Sequence, residues 1–256
     1  MSKISNAFKN GKAFIAFLTA GDPSLEKTEE FVLEMVKAGA DLIEIGIPFS
    51  DPIAEGEVIQ RANLRALSTG TTMDKVFDTV KRIRQKTQVP LVFLTYLNPV
   101  FTYGYDHFFR ECSEHGVDGV IIPDIPFEEK GELMPFSDKY NVDIISLIAP
   151  TSEERISKIA SASKGFVYCV SSKGVTGVRN EIKTDLQSIV SSVRSATKVP
   201  VAVGFGISTP QQASEIVKYA DGIIVGSAIV KIIEQNGNNA AAPLYDYVLN
   251  MKKYII

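Results

Sequence analysis

The strongest constraint on the fold is a repeated unit. Three segments, "KAGADLIEIG" (37–46), "EHGVDGVIIP" (114–123) and "VKYADGIIVG" (217–226), each read as a helix end, a turn, an Asp and a strand. Short apolar, β-branched segments begin at Ala13, Asp41, Pro90, Asp118, Val142, Gly165, Val199 and Asp221, which makes eight candidate strands. Between them lie stretches with helical spacing, such as residues 25–39, where Phe31, Met35 and Ala38 repeat at i, i+4, i+7. Near-continuous apolar strands separated by helices imply a parallel sheet covered by helices. Eight such units in a chain of this length match an α/β fold of the (β/α)8 TIM-barrel type, with residues 1–256 as one domain. A doubly wound open sheet competes, but "LTAGDPS" follows the first strand where a G-x-G-x-x-G would be needed. The segment "EQNGNNAAAP" (234–243) reads as a loop before a terminal helix.

Composition narrows the partners. A formal net charge of −3 gives no basic footprint for nucleic acid or a membrane surface. No apolar run approaches the roughly 20 residues that span a bilayer. The N-terminal apolar segment is interrupted by Thr19 and lacks a signal-peptide pattern. Cys112 and Cys169 form no CxxC and suit a reducing compartment as buried thiols. The expectation is a cytoplasmic protein with a small-molecule or protein partner.

In such a barrel the chemistry sits at the carboxyl ends of the strands. Asp41, Asp118 and Asp221 stand at strand starts, so capping or turn formation is expected of them, and they are set aside as catalytic candidates. Glu44 lies inside the second strand between Ile43 and Ile45, on one face with Leu42 and Gly46. Against the helices an unpaired carboxylate would be hard to tolerate. In the lumen it would be partly desolvated, its pKa raised toward a value useful for proton transfer. The structural alternative is a buried Glu paired with Lys or Arg, and no basic residue lies within any of the candidate strands. Asp124 in "IIPDIP" reads as a turn residue supporting the site.

Three glycine-rich turns close the last three strands: "SSKGVTGVR", "GFGISTPQQ" and "GSAIVKII". Ser208, Thr209 and Pro210 mark one helix start and Gly226–Ser227 another, so free N–H groups are expected to converge on a phosphate site. Phe17, Leu94, Leu147, Tyr168, Phe205 and Ile224 are the remaining residues of the rim. Most such residues are core, but beside a phosphate site they would suit a flat aromatic group on a phosphorylated chain. His107 and His115 lie in and at the end of a helical segment, and neither histidines nor cysteines show metal-ligand spacing or a nucleophile–base pairing. With no strand lysine for a Schiff base either, carboxylate acid–base work on a phosphorylated substrate remains.

The motifs "FLTAGDPS", "IEIGIPFSDPIAEGEVIQRANLRAL", "LVFLTYLNPVFTYG", "GVDGVIIPDIPFEE", "GFVYCVSSKGVTGVR", "VAVGFGIS" and "DGIIVGSAIVKII" resemble, in order and from about residue 13 to 235, the α subunit of tryptophan synthase. The resemblance implies a lyase that cleaves indole-3-glycerol phosphate to indole and glyceraldehyde 3-phosphate, with neither metal nor cofactor in this chain. It implies that Glu44 is the catalytic acid and base and Glu55 the carboxylate on the indole N–H. Gly177, Gly206, Gly226 and Ser227 match the phosphate-binding positions, and Thr176 the loop residue that orders over the substrate. It further implies a pyridoxal-phosphate-dependent β subunit in an αββα assembly, with Asp51 and Pro52 at the contact.

This chain departs from the family pattern, which usually has Asp at Glu55 and Pro at Glu57. An extra methylene displaces the carboxylate by about a bond length, and ångström-scale misplacement can cost around a hundredfold in rate. Glu57 reads as a first-turn residue of a helix, where negative charge is favourable. Two other readings are an α-like subunit weakened in catalysis that serves to activate a β partner, and a barrel isomerase acting on another phosphorylated sugar. The latter would show His or paired Asp at strand ends.

Overall fold

The computed structural model describes residues 3–150, 152–170, 182–204 and 206–255, with the backbone alone for 182–185. The strands are β1 (Ala13–Thr19), β2 (Leu42–Gly46), β3 (Leu91–Leu94), β4 (Gly119–Ile121), β5 (Asp143–Ile144), β6 (Ser146–Ile148), β7 (Val167–Val170), β8 (Val201–Gly204) and β9 (Gly222–Val225). The helices up to mid-chain are α1 (Leu25–Lys37), α2 (Glu57–Ser68), α3 (Met73–Arg84), α4 (Leu97–Tyr103), α5 (Tyr105–His115) and α6 (Met134–Tyr140). Then follow α7 (Glu153–Ser161), α8 (Ile182–Ala196), α9 (Pro210–Ile216), α10 (Ser227–Asn236) and α11 (Ala241–Lys253).

The sheet order is β5-β4-β3-β2-β1-β9-β8-β7-β6, and neighbouring strands among the described residues run parallel. The two strands at its ends, β5 and β6, are consecutive in the chain and separated only by Ile145, so the sheet closes into a barrel. The predicted fifth strand is thus present in two pieces. Ile145 still donates its N–H to Val120 O at 2.9 Å, which keeps the wall continuous across the break.

Alternation along each strand sorts side chains into two shells. Phe14, Ala16, Leu18, Ile43, Ile45 and Phe93 pack outward against Phe31, Met35 and Phe77 of the helices. Ile15, Leu42, Val92, Ile121, Ile145, Tyr168, Ala202 and Ile224 fill the lumen, joined at the strand starts by Ile4 and Ala7 of a short 3-10 helix (Lys3–Phe8). α1 follows its predicted pattern: Ser24 caps it by accepting from Lys27 N, and Phe31 and Met35 are buried. The loop expected over 234–243 is shorter than predicted. α10 runs to Asn236, a 3-10 turn covers Gly237–Asn239, and the alanines, strong helix formers, already enter α11. Among the described residues no helix is long and apolar enough to cross a membrane.

The repeated Asp does one job three times. Asp41, Asp118 and Asp221 each accept from the backbone N–H of a residue at the start of the neighbouring strand, Phe14 at 2.7 Å, Leu91 at 2.9 Å and Val201 at 2.9 Å. Each donates its own N–H back to that residue's carbonyl. Each also pairs with a base, respectively Lys252, Arg84 and Arg194. These carboxylates lock strand register at the end of the barrel away from the mouth, as expected. The Arg84–Asp118 pair is the buried one, at 12% and 7% side-chain exposure, whereas Arg194 and Asp221 stand at 46% and 32%. Asp118→Ala is therefore expected to cost about 3 kcal/mol in urea unfolding, because it leaves a buried guanidinium without its counter-ion and a buried N–H unpaired. Asp221→Ala is expected to cost about 1 kcal/mol. Both variants should retain activity.

Candidate active site

Glu44 sits in mid-strand, opposite Phe17 of β1 and Val92 of β3, and is 2% exposed. Its face is the lumen, because Leu42, two residues earlier, packs there. Among the described residues its Oε2 has no hydrogen-bond partner, and no ion pair reaches it. The paired-Glu alternative therefore does not hold. Burial pushes its pKa up to about 8, and the charge of Glu55 adds to the rise, so Glu44 is protonated at neutral pH.

Glu55 comes from the loop between β2 and α2 and is partly buried. Burial raises its pKa to about 7, opposed by a hydrogen bond from Asn63 Nδ2 to its Oε2 at 2.6 Å. A donor on α2 thus holds the Glu55 carboxylate. Tyr96, just beyond β3, accepts from Ala54 N at 3.1 Å and packs its ring 5.4 Å from Phe49, which fixes the backbone beside Glu55. Asp124 accepts from Leu97 N at 2.9 and 3.2 Å and so anchors the start of α4 next to Tyr96. Arg65 on α2 holds both oxygens of buried Asp22 at 2.8 Å and reaches Glu234 of α10 at 3.0 Å. One guanidinium thereby ties the helix bearing Asn63 to the first loop and to α10.

Around Glu44 the structure gathers five of the apolar candidates. Tyr168, Ile224, Leu94 and Leu147 belong to the lumen cluster, and Phe17 packs over it with Ala62, Val230 and Leu94. Two glycines make the room. A Cβ on Gly204 would lie 2.4 Å from Tyr168 Oη, and one on Gly46 would lie 2.8 Å from the Phe17 ring. Burial beside Glu44 pushes the Tyr168 phenol well up, so it stays a neutral hydroxyl.

The two helix starts expected to face a phosphate differ. At α9, Thr209 caps Gln212 N, and Gln212 Oε1 accepts from Ser208 N at 2.9 Å and Thr209 N at 3.1 Å. Those N–H groups are already used by the helix's own side chains, so the convergence expected at Ser208–Pro210 is corrected. At α10, Gly226 has no side-chain cap and lies against Phe17, and Ser227 is exposed, so its N–H groups point out uncapped at the rim. Gly206 is exposed on the turn after β8. Phe205, Thr176 and Gly177 lie outside the described residues.

Asp51 is exposed and accepts from Ser50, and Pro52 is half-buried. Next to them Ile53 is 79% exposed. Glu57 opens α2, exposed, as expected. His107 and His115 both lie on α5, and the described residues hold no cluster of metal-ligating side chains. Cys112 and Cys169 are free and buried.

Sequence reasoning missed Asn63, Tyr96 and Arg65. For Asn63 a signal existed: Ile59, Ala62, Asn63 and Ala66 share one helical stripe, and a polar residue on an apolar stripe needs a partner. Tyr96 and Arg65 carried none, since their partners are distant in the chain.

A sequence model described as "Tryptophan synthase alpha chain" matches residues 4–255. Relatives named tryptophan synthase alpha chain include one from Lacticaseibacillus casei, 48% identical over 98% of this chain and 95% of its own length. Another, from Lactiplantibacillus plantarum, is 51% identical over 99% and 96%. A crystal structure of tryptophan synthase subunit alpha from Legionella pneumophila superposes with a TM-score of 0.91 at 34% identity, covering 100% of this chain and 98% of that one. The tryptophan synthase complex from Pyrococcus furiosus contains a chain similar at TM-score 0.87 and 34% identity, covering 95% and 98%. With a closed barrel, a buried lumen carboxylate and matches over nearly its whole length, the chain belongs to the tryptophan synthase alpha chain family.

Proposed function

We propose that Glu44 and Glu55 carry the reaction of this family in this chain, the retro-aldol cleavage of indole-3-glycerol phosphate to indole and glyceraldehyde 3-phosphate. The observation that supports the assignment most is the buried Glu44 carboxyl, protonated at neutral pH and without a partner among the described residues, beside Glu55. Glu44 gives its proton to C3 of the indole, and the positive charge that develops on the ring nitrogen is held by Glu55 through the indole N–H. The resulting Glu44 carboxylate takes the proton of the side-chain hydroxyl. The hydroxyl carbon becomes a carbonyl, the C–C bond breaks, its electron pair returns to the ring, and Glu44 is left protonated again. Beyond the C–C cleavage, whose electron pair the protonated indole ring takes up, each step is a proton transfer or a hydrogen bond, so this chain needs no cofactor of its own.

Phe17, Leu94, Leu147, Tyr168 and Ile224 form the slot for the indole, with Phe205 proposed to join them. Gly206, Gly226 and Ser227, with Gly177, receive the phosphate. The uncapped start of α10 supports that assignment, since helix N-termini favour anions. Thr176 is assigned to the loop over the substrate. Residues 1–256 act as one domain in this reading, with the first strand paired to the last.

The solved Pyrococcus furiosus assembly is described as an a2b2 complex with mutual activation. This chain is proposed to join a β subunit likewise, through Asp51, Pro52 and the exposed Ile53 of the same loop that carries Glu55. Pyridoxal phosphate belongs to that partner. A cytoplasmic setting suits the two free, buried thiols.

Indole release from indole-3-glycerol phosphate, measured with and without a β subunit, tests the assignment. Glu44→Gln is expected to lower kcat/KM by about 10²–10⁴-fold, and Glu55→Gln by about 10²–10³-fold. Full activity in Glu44→Gln, or none in the wild type with its partner, would sink the mechanism.

The pH profile follows from the two carboxyls. Glu44 must start protonated, so kcat/KM should fall as pH rises through about 8. Glu55 must be ionised, so it should also fall as pH drops through about 7. Because the groups interact, the limbs of the resulting bell belong to the pair. Asn63→Ala removes the bond that lowers Glu55, so its acid limb should move upward and the bell should narrow. An unchanged acid limb would separate Asn63 from Glu55.

A further inference from the structure

A second cavity lies on the other side of the barrel wall. It has a volume of about 210 Å³ and is bounded by the 3-10 helix Phe127–Glu132, α6, the β5–β6 wall and the segment after α7. Ser146 faces it rather than the lumen, because the residues on either side, Ile145 and Leu147, pack inside the barrel. None of the residues assigned to cleavage lines it.

Its chemistry is one-sided. Lys130 donates from Nζ to Ser146 Oγ at 3.0 Å, and among the described residues it forms no ion pair. An ammonium has three N–H donors, so two remain for a ligand. Burial alone, with no neighbouring carboxylate to oppose it, pulls the Lys130 amine down to about 8. The second lysine on the rim, Lys164, is already paired with Asp138 at 2.5 Å. The walls are apolar, formed by Phe127, Met134, Ile144 and Ala162.

A half-buried cation without a counter-ion in an apolar pocket calls for a monoanion with a hydrocarbon portion. A fully polar dianion such as phosphate would leave oxygens against those apolar walls without donors. The space corresponds to roughly seven water-sized groups, which limits the ligand to a few carbons. We propose that this cavity is a binding site for a small carboxylate with a short apolar tail, its carboxylate on Lys130 and Ser146 and its tail against Met134 and Phe127.

The chain has five methionines, so methyl-labelled methionine gives a spectrum simple enough to follow, with Met134 assigned by Met134→Leu. Sodium butyrate, butyramide and inorganic phosphate are titrated separately into the intact protein. Saturable displacement of the Met134 methyl signal by butyrate, with none from butyramide or phosphate at the same concentration, is expected. Lys130→Leu and Lys130→Gln should each weaken butyrate binding at least tenfold while the other methionine signals stay in place. Two independent variants guard against one that fails to fold. The proposal is overturned if butyramide acts as butyrate does, if a folded Lys130 variant binds butyrate unchanged, or if Met134 does not respond.

Discussion

Ring closure of the parallel sheet is the constraint from which the rest follows. Because β5 and β6 are two parts of one run of chain, the strand order has no free edge, and the strands are buried on both faces. Every residue that points inward must then be apolar, small or chemically occupied. Glu44 sets a carboxyl into that interior, and among the described residues no ion pair neutralises it. The carboxyl instead keeps its proton, which is the state an acid catalyst needs at neutral pH.

The two ends of the barrel set their carboxylates in different surroundings. At the strand starts, Asp41, Asp118 and Asp221 are each satisfied by a backbone N–H and a base. Toward the mouth, Glu44 Oε2 has no hydrogen-bond partner among the described residues, and Glu55 accepts from Asn63. Burial with few polar partners is what raises the pKa of Glu44 and Glu55. Asn63 and the Tyr96-anchored backbone fix where the Glu55 side chain ends.

The chain's sequence determined its fold class, its repeated αβ unit and the roles of the strand-start aspartates. These rest on local pattern: a period of two in the strands, a period of 3.6 in the helices, and a turn residue at fixed offset from each. Glu44 was legible too, since a lone acid in an apolar run has few tolerable locations. Tertiary structure alone decided the split of the fifth strand at Ile145 and the placement of Tyr96 and Arg65 around the Glu55 loop. Each of these depends on which distant groups meet once the ring closes. Hydrogen bonding and desolvation act through space, and periodicity along the chain carries no record of the partner across the barrel.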